Sequence, residues 1–120
     1  MGCRRASLAG VAYDEALAER IRAILDAERD DVAERKMFGG IAFMVGGHMC
    51  VGVIGEDLMA RLGEEGADAA LDEPHTRPMD FTGRPMRNMV YVAPAGTATD
   101  AALRDWIERA LAFVATLPPK

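Results

Sequence analysis

The chain is poor in the residues on which most enzymes and most secreted proteins depend. Its 120 residues include two cysteines, two histidines and one serine. Cys3 and Cys50 lie far apart, one in the N-terminal segment and one inside an apolar run, so no disulfide framework is expected and the chain is assigned to a reducing compartment, the cytoplasm. Ser7 stands in an N-terminal segment without apolar periodicity, which excludes a serine-hydrolase triad. No apolar run reaches the roughly 18–20 residues that span a bilayer, and residues 1–10 lack the apolar core of a secretory signal, so no membrane partner is expected. Positive charge is also short: 14 Lys and Arg stand against 19 Asp and Glu, a net charge of −5. That field opposes attraction to phosphate backbones and argues against nucleic acid as a partner.

Half of the residues are apolar and 28% are charged, the balance of a folded globular chain, and the length leaves room for one domain. Residues 1–12 are expected to form a disordered tail, with Val11 a candidate natural start, and residues 13–117 a single domain. From 14 to 28, Leu17, Ile21, Ile24 and Leu25 recur at helical spacing among charged residues, which predicts an amphipathic helix capped near Tyr13 or Asp14. After Arg29-Asp30-Asp31 the pattern turns extended and glycine-punctuated. The strongest local signal is the apolar run 41–45, then Gly46-Gly47, then 48–54, a hairpin whose two glycines supply the positive φ angles of a tight turn.

Strict alternation then places Val45 opposite His48, Phe43 opposite Cys50 and Ile41 opposite Gly52 on one face, with Met44, Met49, Val51 and Val53 on the other. A return strand over 58–62 adds Leu58, Ala60 and Leu62 to the Val51/Val53 face, and Met59 and Arg61 to the His48/Cys50 face. A short helix over 64–71, strands at 79–81 and 89–92, and a final amphipathic helix over 100–116, capped by Thr99, complete the reading. The helix pairs Arg104 with Glu108 and Asp105 with Arg109 at i,i+4. The expected fold is α+β in two layers, an antiparallel sheet of about five strands with the N- and C-terminal helices on one face. The opposite face, with Phe43, His48, Cys50, Ile54 and Arg61, is left to a partner, a ligand or the tail.

Lys36-Met37-Phe38-Gly39-Gly40-Ile41-Ala42-Phe43, the later Asp57-Leu58, the Tyr91 and Pro94 pair, and the Leu103, Trp106 and Ala110 helix together resemble the TfoX N-terminal domain family over about residues 13–117. The resemblance implies a bacterial, regulator-type domain of secretion-chaperone-like α+β fold, from a family named for promoters of natural competence, with no catalytic residues and no cofactor. It also implies a short stand-alone member, since the family's longer chains continue into a helical second domain.

His48 and Cys50 on one strand face suggest a soft metal site or a Cys–His pair, but only two ligands and no acidic orienter are evident, so no metal and no catalysis is expected and Cys50 reads as a small buried hydrophobe. The double glycines fit no phosphate-cradling motif. Arg77, Arg84 and Arg87 form a candidate anion patch, set against pairing with nearby acids. Phe43, His48, Cys50, Ile54, Met59 and Arg61 form a candidate interaction face, its apolar patch made by Met59, Ile41, Phe43 and Ile54, to which a second copy of the chain could bind. A protein-interaction module acting through this face is the first functional reading. A small-molecule or anion-binding protein using the arginines near the sheet is the second.

Overall fold

A computed structural model describes residues 13–37, 39–81 and 84–118, and the side chains of Met37 and of residues 79–87 are outside what it describes. The tail expected over residues 1–12 therefore lies outside the described residues. The elements run α1 (Glu15–Glu28), β1 (Val32–Met37), β2 (Gly40–Val45), β3 (His48–Ile54), β4 (Asp57–Arg61), α2 (Gly63–Ala70), β5 (Thr76–Phe81), β6 (Arg84–Val92) and α3 (Asp100–Val114).

Helix α1 starts where its cap dictates. The Asp14 carboxylate accepts from the backbone N–H groups of Ala16 and Leu17, which satisfies two otherwise unpaired donors and contributes about 1 kcal/mol. Thr99 caps α3 in the same way, accepting from Ala102 N–H. Both helices bury one stripe. Leu17, Ile21, Ile24 and Leu25 of α1 and Leu103, Trp106, Ile107, Ala110 and Val114 of α3 enter the same core cluster, with Ala67 and Ala70 of α2 beside them. Ion pairs from Arg20 to Asp100 and from Arg104 to Glu28 tie α1 to α3 at the surface. Arg104 thus reaches across to α1, while Arg109 keeps its expected i,i+4 partner Asp105 and also binds Glu73.

The six strands form one antiparallel sheet in the order β1-β2-β3-β4-β6-β5. The sixth strand, β1, pairs Val32 with Val45 and Met37 with Gly40. Its sequence, Val-Ala-Glu-Arg-Lys-Met, carries little apolar alternation because it is an edge strand whose residues 33–36 are exposed, and charged edge residues discourage pairing with other chains. The opposite edge, β5, carries Pro78, which has no N–H to offer. The two strands expected at 79–81 and 89–92 are longer at their N-terminal ends, starting at Thr76 and Arg84.

The register of the central hairpin departs from strict alternation at one place. Val45 faces His48 and Met44 faces Met49 across the turn, but Phe43 then faces Val51, and Ile41 faces Val53. Cys50 is the extra residue of a β-bulge, which lets two neighbours on one strand point to the same side. As a result Ile41, Phe43, Val45, Cys50, Val51 and Val53 all enter the helix-covered core, together with Leu58, Ala60, Val90 and Val92. Phe43 and Cys50 are fully buried there, so their expected place on an uncovered face is corrected. Ile41 leaves the expected apolar patch for the same reason. Met44 and Met49 move in the opposite sense, off the Val51/Val53 face.

Candidate functional site

The sheet face opposite the helices is the surface on which a functional site has to be sought, because every buried helix residue of the main cluster packs on the other side. Alternation along β4 and β6 turns Met59, Met89 and Tyr91 to it, between Leu58, Ala60, Val90 and Val92 on the core side. These three residues form a second, small apolar cluster, with the half-buried Met49 and Ile54 packed against it. Met59 is only 1% exposed although its cluster includes no helix residue among the described residues. The reason is local: its Cε reaches over Gly52, where an added Cβ would come within 2.5 Å of it. A flexible thioether thus fills the space that a missing side chain leaves. Met44, also half-buried, continues the surface toward β1.

Arg77 lies at the rim of this face. Its guanidinium sits 4.6 Å from the Tyr91 ring centroid and forms an ion pair with Asp57. The stack and the ion pair hold the cation flat against the sheet. Of the expected anion patch, Arg77 is therefore engaged by a carboxylate and a ring, while the side chains of Arg84 and Arg87 lie outside the described residues. Arg61 pairs with Met89 in the ladder, donates to the Met49 carbonyl at 3.3 Å and stands 5.6 Å from the Phe113 ring of α3. It bridges the sheet to the last helix.

Of the expected interaction face, the structure brings Ile54 and Met59 together and separates Phe43, His48 and Cys50 from them. His48 is buried at the end of the hairpin on the helix side, where its Nε2 donates to the Pro118 carbonyl at 2.6 Å. Cys50 sits in the core, and burial pushes its thiol up to about 12, with Arg29 and Arg61 pulling weakly the other way. A thiol held protonated is a poor nucleophile and a poor metal ligand. Among the described residues no group of three or more His, Cys, Asp and Glu side chains is placed to hold a metal ion. No helix among them is long and apolar enough to cross a membrane.

The buried thiol makes a direct prediction. Brief iodoacetamide treatment of the native protein at pH 8, read by peptide mass mapping, is expected to leave Cys50 unmodified, whereas the same treatment in denaturant modifies it fully. Rapid native alkylation of Cys50 would place it at an accessible, activated position.

Met44, Met49, Met89 and Tyr91 were not legible as residues of one surface. All seven positions of β3 are apolar or small apart from His48, so nothing in the run betrays which residue is the bulge. The long separation between His48 and Pro118 hid their contact equally.

A half-covered, six-stranded antiparallel sheet with flanking helices defines the chain as a two-layer α+β domain. The TfoX N-terminal domain family model matches residues 24–114, and the chain belongs to that family. No curated protein and no solved structure matches it significantly.

Proposed function

We propose that this chain is a non-enzymatic protein-interaction module with a regulatory role of the kind for which its family is named, acting through the sheet face that the helices leave uncovered. One observation carries the reading: Met49 and Ile54 pack half-buried against the buried Met59, Met89 and Tyr91 on that face, and the half-buried Met44 pairs with Met49 beside them. Methionine side chains are unbranched and polarizable, so a surface built from them adapts to an apolar partner surface at little conformational cost. The sheet edges are poor alternatives, since charge on β1 and Pro78 on β5 discourage strand addition. The partner is accordingly a protein that offers an apolar patch to the flat of the sheet rather than a strand to its edge. The buried, protonated Cys50 supports the absence of catalysis in this reading.

The test is affinity purification of the tagged chain from its native host, with and without nuclease, run beside a Met44→Lys/Ile54→Lys variant. Both positions are half-buried, so the variant is expected to keep the native circular dichroism and unfolding midpoint. The wild type is expected to retain a protein partner after nuclease and the variant to lose it by at least tenfold, because a charged group in the centre of an apolar contact is left without a partner. Equal retention by a folded variant removes the sheet face from the function. Nuclease-sensitive recovery of RNA or DNA moves the function to the arginine-bearing end of β5 and β6.

A further inference from the structure

Cross-strand partners share a face of a sheet, so the ladders can be followed from one edge to the other. Arg35 of β1 faces Ala42, Ala42 faces Gly52, Gly52 faces Met59, Met59 faces Tyr91, and Tyr91 faces Arg77 of β5. One row thus crosses all six strands on the side that the helices leave uncovered. Its middle is small or apolar, and both of its ends are arginines. Five interstrand steps of about 4.8 Å set those ends roughly 24 Å apart. Met44 and Met49 flank the row on one side and Ile54 on the other.

The two ends are held differently. Arg35 is exposed and forms no ion pair among the described residues. Arg77 is paired with Asp57, but its side chain is 52% exposed and that of Asp57 only 20%, so the charge presented outward at this edge is the cation's. Alternation along β4 puts Arg61 on the same side as Met59, at the end of the sheet. Among the described strand side chains Asp57 is the one carboxylate on this face. The face is therefore positive, on a chain whose net charge is −5.

That sign selects the occupant. Residues 1–12 of the chain itself carry Arg4 and Arg5 and no acid, so their charge is the wrong one. A second copy packed face to face would bring the same arginines to the same rims, and like charges in apposition cost affinity. A nucleic-acid strand carries a phosphate about every 3.4 Å, and those lying over the methionines between the two edges would meet no cation. What fits is an apolar surface bracketed by carboxylates. An amphipathic helix supplies one: at about 1.5 Å per residue, roughly 16 residues cross the row, with apolar side chains on the methionines and Asp or Glu near each end.

On the reading that this face is the interaction surface, we infer that it takes an acidic amphipathic helix of a partner protein, with the apolar stripe on the methionines and the carboxylates at Arg35 and Arg77. The test is a titration of the full chain, with the methyl signals of Met44, Met49, Met59 and Met89 followed in ¹H–¹³C correlation spectra. The probes are two synthetic helical peptides of about 18 residues with one leucine stripe in common, the first with glutamates toward both ends and the second with lysines in their place. The glutamate peptide is expected to move the four methyls along one saturable curve. It is expected to bind about tenfold or more tighter than the lysine peptide at low salt, against the charge of the chain as a whole, and to lose most of that margin in about 0.5 M salt. Arg35→Glu, at an exposed edge position, is expected to weaken the glutamate peptide about fivefold or more and to strengthen the lysine peptide. Arg35→Gln is expected to give a smaller loss in the same direction.

Equal or tighter binding of the lysine peptide, or no effect of Arg35→Glu, overturns the acidic partner, while saturable methyl shifts in that result still leave the sheet face as the interaction surface. Methyl shifts that follow the concentration of the chain alone give the face to a second copy, and shifts driven by a single-stranded DNA oligonucleotide give it to nucleic acid. Either result overturns the acidic helix, as do methyls that neither peptide moves. The face itself falls only with equal partner retention by the folded Met44→Lys/Ile54→Lys variant.

Discussion

Phe43→Ala is expected to lower the stability of the protein by about 3–5 kcal/mol, the range for truncating a buried aromatic residue. The ring is fully buried in the helix-covered core, among the largest side chains with essentially no exposure. Its removal forfeits apolar area and leaves a void that the sheet on one side and the helices on the other cannot close, since both are held by their own hydrogen bonds. Arg22 adds a smaller term. Its guanidinium lies 5.9 Å from the Phe43 ring centroid and is fixed there by Glu34 and Glu19. Urea unfolding followed by circular dichroism is the measurement, with a fall in midpoint and an unchanged slope expected. A loss below about 1 kcal/mol would return Phe43 to the surface, where strict alternation had placed it, and would undo the bulge at Cys50 with it. The variant also separates fold from function. Phe43→Ala is expected to weaken partner retention only as far as it unfolds the chain, whereas Met44→Lys/Ile54→Lys acts on a folded one.

Gly40→Ala is expected to cost about 2–3 kcal/mol, at the upper end of what overpacking does. A Cβ at this position would lie 2.2 Å from the Val53 carbonyl oxygen and 2.8 Å from Ile54 Cγ1. The nearer of these is backbone in the neighbouring strand and cannot rotate away, so β2 and β3 must separate locally. Gly55→Ala is the matched control. Nothing lies within 4 Å of a Cβ there, and its cost comes from the left-handed φ of +59° alone, about 1 kcal/mol. Thermal or urea unfolding of the two variants side by side gives the comparison, and equal losses would contradict the close approach at Gly40. The result bears on the family motif. In Met37-Phe38-Gly39-Gly40, Gly39 takes a left-handed φ of 78°, while Gly40 is required by contact. The two adjacent glycines serve different physical ends.

The contrast between these residues shows what could be read in advance. The α1 and α3 stripes, the Asp14 and Thr99 caps and the Gly46-Gly47 turn each depend on residues within one turn of helix or one hairpin loop, and all stand where the spacing put them. The sides of Leu58, Met59 and Ala60 in β4, and of Leu62 just after it, followed equally from alternation. Strand β1 did not, because an exposed edge strand needs no apolar pattern to be stable. It is held by backbone bonds to β2, and its Glu34 is fixed by Arg22 of α1, which keeps that carboxyl below its usual range. The candidate face was half legible: Ile54 and Met59 were placed on it correctly, and Phe43, His48 and Cys50 were not.

Composition, periodicity and turn chemistry in the sequence by itself determined an α+β fold with helices at its two ends and a glycine-turned central hairpin, while the motif around Met37-Phe38-Gly39-Gly40 carried the resemblance to the TfoX N-terminal domain family. Those features arise from local spacing and short-range contacts, which a linear chain displays directly. Only the tertiary structure decided which residues line the uncovered face and what His48 holds. An apolar run such as β3 is compatible with either side of a sheet until a single bulge fixes the register, and a bond across 70 residues exists only once the hairpin and α3 have packed.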